Sequence, residues 1–198
     1  MTKVYFVRHA QPEHDWEEDR TRPLTEEGKK DSVVVLEFLS NKKIDAFYCS
    51  PYKRSMDTIA ETAAFFAKEI ITDERLRERE KGPDVNNHGM FQKRWADHNY
   101  HEEGGESIAM VQKRNIEALN EILSDNTDKD IVIGTHGTAL STILNFYDNN
   151  FGCEDFLRII DWMPYIIELD FESSCNEMES ECPSYSFKLS GKREHCYI

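Results

Sequence analysis

The chain has 198 residues, with 24 Lys and Arg against 38 Asp and Glu, which gives a formal net charge of −14 at pH 7. This acidity argues against a general nucleic-acid-binding protein, which needs a basic face to neutralise phosphates. No apolar run approaches the roughly 20 residues that a membrane-spanning helix needs, and the length predicts one domain over residues 1–198.

The first half of the chain predicts strands that alternate with helices. The run from Lys3 to Val7 is β-branched and aromatic, and it predicts a buried strand that ends at Arg8. Thr25 predicts a helix N-cap, because two glutamates follow it in the first turn, where the helix end is positive. The next predicted elements are a strand at 44–48, a helix at 51–68 that begins with proline, and a short strand at 70–72.

The second half continues this alternation. Residues 73–89 are charged and contain a Gly-Pro pair, which predicts a loop. Helices are predicted at 91–100, 107–123, 138–147 and 154–160, and strands at 130–134, 165–171 and 185–189, with a turn at 172–184. The alternation implies an α/β fold, a three-layer α/β/α sandwich with a mostly parallel central sheet. Within it, residues 151–198 are expected to form a C-terminal helix and an edge hairpin, and that edge is a candidate homodimer contact.

The cysteines and the N-terminus predict a cellular location. The five cysteines are odd in number and form no C-x-x-C pair, and Cys175 and Cys182 have no histidine at zinc-ligand spacing. Residues 1–7 are too short and too mixed for a signal peptide. We therefore expect reduced thiols, no bound metal and a cytoplasmic location.

Basic side chains follow three of the predicted strands, namely Arg8, His9, Arg54 and His136. Because ligands bind at the carboxyl ends of strands in open α/β sheets, we expect these side chains to meet in one cationic pocket. A helix N-terminus at Gly137 would add to the positive field. The ligand that fits such a pocket is a phosphoryl group, whose oxygens match the guanidinium fork.

Each of these residues alone also fits a purely structural role. An arginine at a strand end is usually solvated or paired with a carboxylate, and a lone histidine more often has its partners within the core. The pair Ser50-Pro51 is ordinary helix-capping chemistry. Two histidines and two arginines at three separate strand ends together favour the phosphate site.

Six short motifs occur along residues 1–140. They are Arg8-His9-Ala10-Gln11, the segments LTEEG at 24–28, SPYKR at 50–54 and LREREKG at 76–82, GES at 105–107 and THG at 135–137. This ordered set resembles the R-H-G-[EQ], L-T-x-x-G, S-P-x-x-R, L-x-E-x-x-x-G, G-E-S and [ST]-H-G motifs of the histidine phosphatase superfamily, also called the phosphoglycerate mutase-like family. One such motif is a weak signal, whereas six in the family's order are specific.

The resemblance implies a phosphoglycerate mutase-like fold and a mechanism that needs neither metal nor cofactor. His9 would attack phosphorus and form a phosphohistidine, since a neutral imidazole is a competent nucleophile near pH 7. Arg8, Arg54 and His136 would hold the phosphoryl oxygens. Glu78 would protonate the leaving alkoxide and then deprotonate the attacking water. The substrate-binding residues expected beside them are Gln11, His14, Asp15 and Gly137.

Glu78 is selected by the motif frame rather than by its local sequence. It lies in a run of alternating charges at 73–80, which on its own predicts a solvated loop. Without the family, Glu74 and Glu80 are equal candidates for the general acid. The L-x-E-x-x-x-G frame selects Glu78.

Two positions depart from the family's pattern. Ala10 stands where the family has glycine, and its extra methyl group is expected to shift the backbone slightly. Asp15 stands where R-H-G-x-T-x-x-N commonly ends in an asparagine that donates to phosphate, and a carboxylate there would repel a phosphate. We therefore expect that Asp15 points away from the ligand or that His14 takes over as donor.

The chain length between the acid and the G-E-S motif favours a phosphatase. Cofactor-dependent mutases of the family carry a long insertion there, whereas here only residues 79–104 lie between them, and we expect these to form a variable segment that covers the substrate. The predicted function is a metal-independent phosphomonoesterase of the histidine acid phosphatase type. It would take a small phosphorylated metabolite and release inorganic phosphate, without nucleic acid or membrane as a partner.

Three alternatives stay open at this point. The first is phosphoglycerate mutase-type phosphoryl transfer, and the second is a non-catalytic module that uses the same pocket to bind a phosphorylated partner. The third is an unrelated metal-dependent hydrolase that would use His98, His101 and Glu102, although no further ligand is assignable from the sequence.

Overall fold

The protein, described by a computed structural model over residues 1–82, 88–175 and 185–196, has helices on both faces of a six-stranded sheet. The strands are β1 (Thr2–Arg8), β2 (Ala46–Cys49), β3 (Ile70–Thr72), β4 (Asp130–Thr135), β5 (Tyr165–Cys175) and β6 (Tyr185–Cys196). The helices are α1 (Glu26–Leu39), α2 (Lys53–Phe65), α3 (His88–Ala96), α4 (Ile108–Asp125), α5 (Gly137–Tyr147) and α6 (Cys153–Ile159). None of these described helices is both long enough and apolar enough to cross a membrane.

The strand order in the sheet is β3-β2-β4-β1-β5-β6. The first four of these strands run parallel, β5 runs antiparallel to β1, and β6 runs antiparallel to β5. This confirms the predicted, mostly parallel sheet. Arg8 at the end of β1 lies opposite Thr135 on β4, and Cys49 at the end of β2 lies opposite Gly134. The carboxyl ends of three strands therefore meet at one end of the sheet.

Apolar side chains of β1 alternate between two layers of helices. Val4 and Phe6 pack with α4, α5 and α6 on one face of the sheet, and Tyr5 and Val7 pack with α1 and α2 on the other. All four side chains are buried, as the period of two along a strand requires. The two helical layers with the sheet between them confirm the predicted α/β/α sandwich.

The N-terminus of α1 confirms the predicted cap and explains the LTEEG segment. The hydroxyl oxygen of Thr25 accepts a hydrogen bond from the N–H of Gly28 at 2.9 Å. The N–H of Thr25 donates to the carbonyl oxygen of Gln11 at 3.0 Å. A Cβ atom at Gly28 would lie 2.2 Å from the same carbonyl oxygen, so only glycine lets α1 approach this closely. The loop after β1 is thereby fixed to the helix.

Helix α2 is shorter than the predicted span of 51–68. At its N-terminus, Tyr52 keeps an extended backbone, and its N–H donates to the hydroxyl oxygen of Ser50 at 3.2 Å. At its C-terminus, Ala67 adopts the left-handed conformation with φ of 51°. A left-handed residue just after the last turn ends a helix, so the chain leaves α2 after Phe65.

The two C-terminal strands extend further than the predicted runs at 165–171 and 185–189. Strand β5 includes 172–175, so the turn predicted at 172–184 is wrong there, and residues 176–184 lie outside the described part of the chain. Strand β6 continues to Cys196 along the edge of the sheet. Sequence periodicity missed this extension because residues 191–194 contain no apolar side chain, and an edge strand tolerates such a charged run.

Candidate active site

Four basic side chains lie at the end of the sheet where β1, β2 and β4 terminate. Arg8 ends β1 and His9 follows it, Arg54 lies in the first turn of α2 after β2, and His136 follows β4. Each of the four is at most 6% exposed. A cavity of about 300 Å³ opens here, and its lining includes Arg8, His9, Arg54 and Glu78. The structure therefore brings together side chains that are distant in the sequence.

The ring of His9 is held in one orientation by its own backbone. Its Nδ1 lies 2.8 Å from the carbonyl oxygen of Ala10. Because a carbonyl oxygen only accepts, Nδ1 carries the proton and Nε2 keeps its lone pair. Burial lowers the pKa of His9 well below its usual value, and the positive charges of Arg54 and Arg8 lower it further. The ring is therefore neutral near pH 7, which is the nucleophilic form.

His136 is fully buried in ring contact with His9, and it is not among the residues that line the cavity. Its Nε2 lies 2.7 Å from the hydroxyl oxygen of Ser50, while its Nδ1 is buried and has no hydrogen-bond partner among the described residues. Burial lowers the pKa of His136 well below its usual value, with further lowering by Arg54 and His9. Ser50 is thus more than a helix-capping residue, because it fixes the His136 ring.

The side chain of Arg8 connects the end of β1 to the end of α6. Its Nη1 donates to the carbonyl oxygen of Ile159 at 2.7 Å, while its Nε has no hydrogen-bond partner among the described residues. A Cβ atom at Gly137 would lie 3.3 Å from the guanidinium carbon of Arg8, so a larger residue there would press on the Arg8 side chain. Burial lowers the pKa of Arg8 to about 10, so the side chain stays positively charged at neutral pH.

Arg54 is 4% exposed, and a carboxylate of the cavity lining lies directly beside it. Its Nη1 donates to the main-chain carbonyl oxygen of Asp19 at 2.7 Å. The Asp19 carboxylate lies on the same guanidinium, with Oδ1 at 3.3 Å from Nη1 and Oδ2 at 3.4 Å from Nη2. Burial lowers the pKa of Arg54, and the charge of Asp19 opposes that effect.

The Glu78 carboxylate lies at the N-terminus of α5. It accepts hydrogen bonds from the N–H groups of Thr138 at 3.1 Å and Ala139 at 3.2 Å. A third N–H, from Arg79, donates to it at 2.7 Å. These three donors fix the carboxylate on the cavity wall, beside the positive end of the helix.

Arg114 on α4 holds the loop that carries Glu78. Its guanidinium donates to the carbonyl oxygens of Arg75 and Arg77, both at 2.7 Å, and of Glu78 at 3.0 Å. It also forms a two-pronged ion pair with Glu106 at 2.9 Å. The glutamate of the GES motif therefore acts on the site through Arg114.

The other residues predicted to bind substrate are placed differently from one another. His14 and Gly137 line the cavity. Asp15 is exposed and is not on the lining, which fits the expectation that it points away from a phosphate. Gln11 lies off the cavity lining, and its side-chain oxygen accepts from the hydroxyl of Thr25 at 2.9 Å. The structure thus brings His14 and Gly137 to the site and leaves Gln11 and Asp15 outside it.

Glu74 and Glu80, the alternatives to Glu78, also lie off the cavity lining. Glu74 pairs with Arg20 on the surface. Glu80 is exposed, and its N–H donates to the Glu106 carboxylate at 2.9 Å. Of these three glutamates, Glu78 is the one that lines the cavity.

The cavity lining also includes side chains from the described part of the segment 79–104 and from α6. Arg79 and Arg94 are among them, and both pair with the buried carboxylate of Glu102. Phe91, Trp95 and Phe156 add apolar surface. The cavity lining therefore has both cationic and apolar parts.

The side chains considered for a metal site, those of His98, His101 and Glu102, each contact other groups. Glu102 is bound by two arginines, His98 packs its ring on Trp95 at 5.6 Å between centroids, and Nδ1 of His101 lies 3.0 Å from the carbonyl oxygen of Glu102. Within the described ranges, no group of three or more His, Cys, Asp and Glu side chains could hold a metal ion.

Sequence reasoning missed three residues of this site. Asp19 lies in a loop with many acidic residues and carries no motif, and Arg114 lies on α4 with no local feature to distinguish it. Ser50 was visible within its motif, and only its role was missed. Of the three, a family motif could have pointed to Ser50 alone.

Comparison with known proteins gives one family and several relatives. The chain matches the family model described as the histidine phosphatase superfamily (branch 1) over residues 4–160. It is 28% identical to phosphoserine phosphatase 1 of Hydrogenobacter thermophilus over 157 residues, which is 69% of this chain and 71% of that protein.

Solved structures share the fold at lower identity. A mutant of phosphoserine phosphatase from Entamoeba histolytica, in complex with phosphoserine, aligns with a TM-score of 0.74 and 20% identity over 97% of this chain and 96% of that chain. Mycobacterial glucosyl-3-phosphoglycerate phosphatase aligns with a TM-score of 0.70 and 17% identity over 84% of this chain and 89% of that chain. At this identity, both likenesses concern the fold.

Proposed function

This chain belongs to the histidine phosphatase superfamily, branch 1, and from that premise we propose that it hydrolyses small phosphomonoesters through a phosphohistidine intermediate on His9. One observation carries the proposal. The Nδ1 of His9 is tied to the Ala10 carbonyl oxygen at 2.8 Å, so the lone pair of Nε2 is available in a cavity that Arg8, Arg54 and Glu78 also line.

The first chemical step transfers the phosphoryl group to the enzyme. Nε2 of His9 attacks phosphorus in line with the ester oxygen, and the P–O bond to the alcohol breaks. Glu78 acts as the general acid of this step and gives a proton to the leaving oxygen. Arg8 and Arg54 hold the non-bridging oxygens, and the Ala10 carbonyl stabilises the positive phosphoimidazole through Nδ1–H.

The second step returns the enzyme to its starting state. The Glu78 carboxylate takes a proton from water, whose oxygen attacks the phosphohistidine and breaks the P–N bond. Inorganic phosphate leaves, and both His9 and Glu78 regain their initial protonation. The arginines supply the positive charge that a metal ion supplies in other phosphoryl-transfer enzymes.

The cavity supports a small substrate. Its volume of about 300 Å³ lies at the lower end of the range for ligand sites. Two relatives are named for phosphoserine and for glucosyl-3-phosphoglycerate, which are both phosphomonoesters. A screen of such compounds is the route to the substrate, and transfer to an acceptor alcohol in place of water would indicate mutase-type chemistry.

We extend the proposal to the organisation of the chain. Residues 1–198 would act as one domain, in which the segment 79–104 covers the substrate. Phe91, Arg94 and Trp95 on the cavity wall support this role. The cytoplasmic location and a homodimer through the β6 edge stay predictions from the sequence.

The test is hydrolysis of p-nitrophenyl phosphate in the presence of EDTA, with the wild type beside His9→Ala. We expect the wild type to be active and His9→Ala to be inactive. The matched control is His101→Ala, which removes an exposed histidine that is not on the cavity lining and should keep wild-type activity. Activity that survives in His9→Ala, or that EDTA abolishes, would contradict the proposal.

A further inference from the structure

The carboxylate of Asp19 occupies the face of Arg54 that a phosphate would use. Its two oxygens lie 3.3 and 3.4 Å from Nη1 and Nη2, so one carboxylate faces both nitrogens of the guanidinium fork. A phosphate binds arginine through the same pair of nitrogens. The two anions therefore compete for one position.

A second arginine is held by the same carboxylate. Nη1 of Arg22 lies 3.3 Å from Oδ1 of Asp19. Arg22 also lines the cavity, and its Nε is buried without a hydrogen-bond partner among the described residues. Movement of one carboxylate would thus free donors on two arginines at the cavity.

The side chain of Asp19 can move while its main chain stays in place. The carboxylate side chain is 34% exposed, whereas that of Arg54 is 4% exposed. The main chain beside it is anchored, because the carbonyl oxygen of Arg20 accepts from the N–H of Lys53 at 2.9 Å. A rotation about the side-chain bonds would carry the Asp19 carboxylate into solvent without moving the loop.

We propose that Asp19 holds the anion position of Arg54 and is displaced from it by the phosphoryl group of the substrate. The inference rests on the proposed function, in which Arg54 holds that group. The carboxylate lowers the affinity of the site for phosphate, and it recaptures Arg54 when inorganic phosphate leaves. Asp19 is therefore a positioning residue that sets phosphate affinity and limits product inhibition.

The substitution Asp19→Asn isolates the charge. It keeps the main-chain carbonyl that accepts from Nη1 of Arg54 at 2.7 Å, so Arg54 retains its position. The matched control is Asp15→Asn, which makes the same charge change in the same loop at an exposed residue off the cavity lining. Asp19→Glu, which keeps the negative charge, is the conservative variant.

The experiment measures the dissociation constant of inorganic phosphate by calorimetry, together with kcat and KM for p-nitrophenyl phosphate. For Asp19→Asn we expect phosphate to bind about tenfold more tightly and KM to fall, with a smaller change in kcat. Asp15→Asn and Asp19→Glu should stay within about threefold of the wild type. A merely structural role for Asp19 would not tighten phosphate binding.

Three results would overturn the inference. Equal tightening in Asp19→Asn and Asp15→Asn would mean that only the net charge matters. Weaker phosphate binding in Asp19→Asn would mean that the carboxylate supports Arg54 rather than competing with phosphate for it. If none of the proteins bound phosphate, there would be no ligand for the carboxylate to compete with. Failure of the proposed function is seen separately, as absence of p-nitrophenyl phosphate hydrolysis by the wild type.

Discussion

The imidazole rings of His9 and His136 meet edge to face, with their centroids 5.3 Å apart and their planes at 61°. Both rings are buried, and burial together with nearby arginines lowers both pKa values well below the usual 6.5. A proton on either ring would place a positive charge beside the other ring and beside Arg54. The pair is therefore stable as two neutral rings, and a neutral His9 is the form that the proposed mechanism requires.

This pair predicts that the protein loses stability in mild acid. Above about pH 6.5, both histidines are neutral in the folded and unfolded states, so their titration adds nothing to the free energy of unfolding. Below that pH the unfolded chain binds protons that the folded protein rejects. The free energy of unfolding should then fall by up to about 1.4 kcal/mol per histidine per pH unit, until the pH reaches the lowered pKa.

Urea unfolding of the wild type and of His136→Gln between about pH 5.5 and 7.5 checks this prediction. The variant lacks one of the two titrating rings. We expect its free energy of unfolding to fall less steeply with decreasing pH than that of the wild type. Parallel curves for the two proteins would count against neutral burial of His136.

Arg54→Ala should lower kcat/KM by on the order of 10²-fold or more, because a preorganised charge would be lost from the phosphoryl oxygens. The control is Lys53→Ala, which removes the adjacent positive charge. Lys53 is exposed and pairs with Asp57 on the same helix at 2.8 Å, so this variant should keep wild-type kinetics. An unchanged kcat/KM in Arg54→Ala would mean that phosphate binds elsewhere.

Glu78→Gln should affect poor leaving groups most, because they depend on protonation of the departing oxygen. We expect a loss of about 10²-fold or more in kcat for an alkyl phosphate and a much smaller loss for p-nitrophenyl phosphate. Glu80→Gln, two residues along and off the cavity lining, should show neither loss. Equal losses for both substrates in Glu78→Gln would argue that another group donates the proton.

Arg114→Met should both destabilise the protein and misplace Glu78. The substitution leaves three carbonyl oxygens and the Glu106 carboxylate without the guanidinium that now binds them. We expect the free energy of unfolding to fall by about 2–3 kcal/mol. We also expect kcat to fall more for an alkyl phosphate than for p-nitrophenyl phosphate, because the proton donor has moved.

Lys113→Met is the control for this substitution, since Lys113 is exposed on the same helix. It should change neither chemical denaturation nor the ratio of rates for the two substrates. If Arg114→Met lost stability but kept the wild-type ratio of rates, Arg114 would support the fold without positioning Glu78.

Local sequence signals predicted much of this architecture. The cap at Thr25, the apolar runs of β1 and β4, and the alternation of strands and helices each reflect interactions within a few residues of each other. The position of Arg54 follows from the same logic, because parallel strands bring their carboxyl ends together. Short-range patterns and sheet geometry therefore identified the cationic end of the cavity.

The remaining features depend on contacts between distant segments. Arg114 meets the carbonyl oxygen of Glu78 across 36 positions of the chain, and Arg54 meets Asp19 across 35. No local sequence pattern marks such pairs as partners, because the two residues lie far apart along the chain and any polar side chain is compatible with either position. Only the three-dimensional structure, in which the helices and the sheet are packed together, identifies these partners.

The register that sets Arg8 opposite Thr135 couples ligand binding to folding. The proposed phosphate position needs β1 and β4 to be paired, so an unfolded chain has no comparable place for the anion. If phosphate binds as proposed, it would act by mass action as a folding ligand and would add about 2.7 kcal/mol to the free energy of unfolding at a concentration one hundred times its dissociation constant. The fraction of the protein that is folded would then depend on the phosphate concentration of the solution.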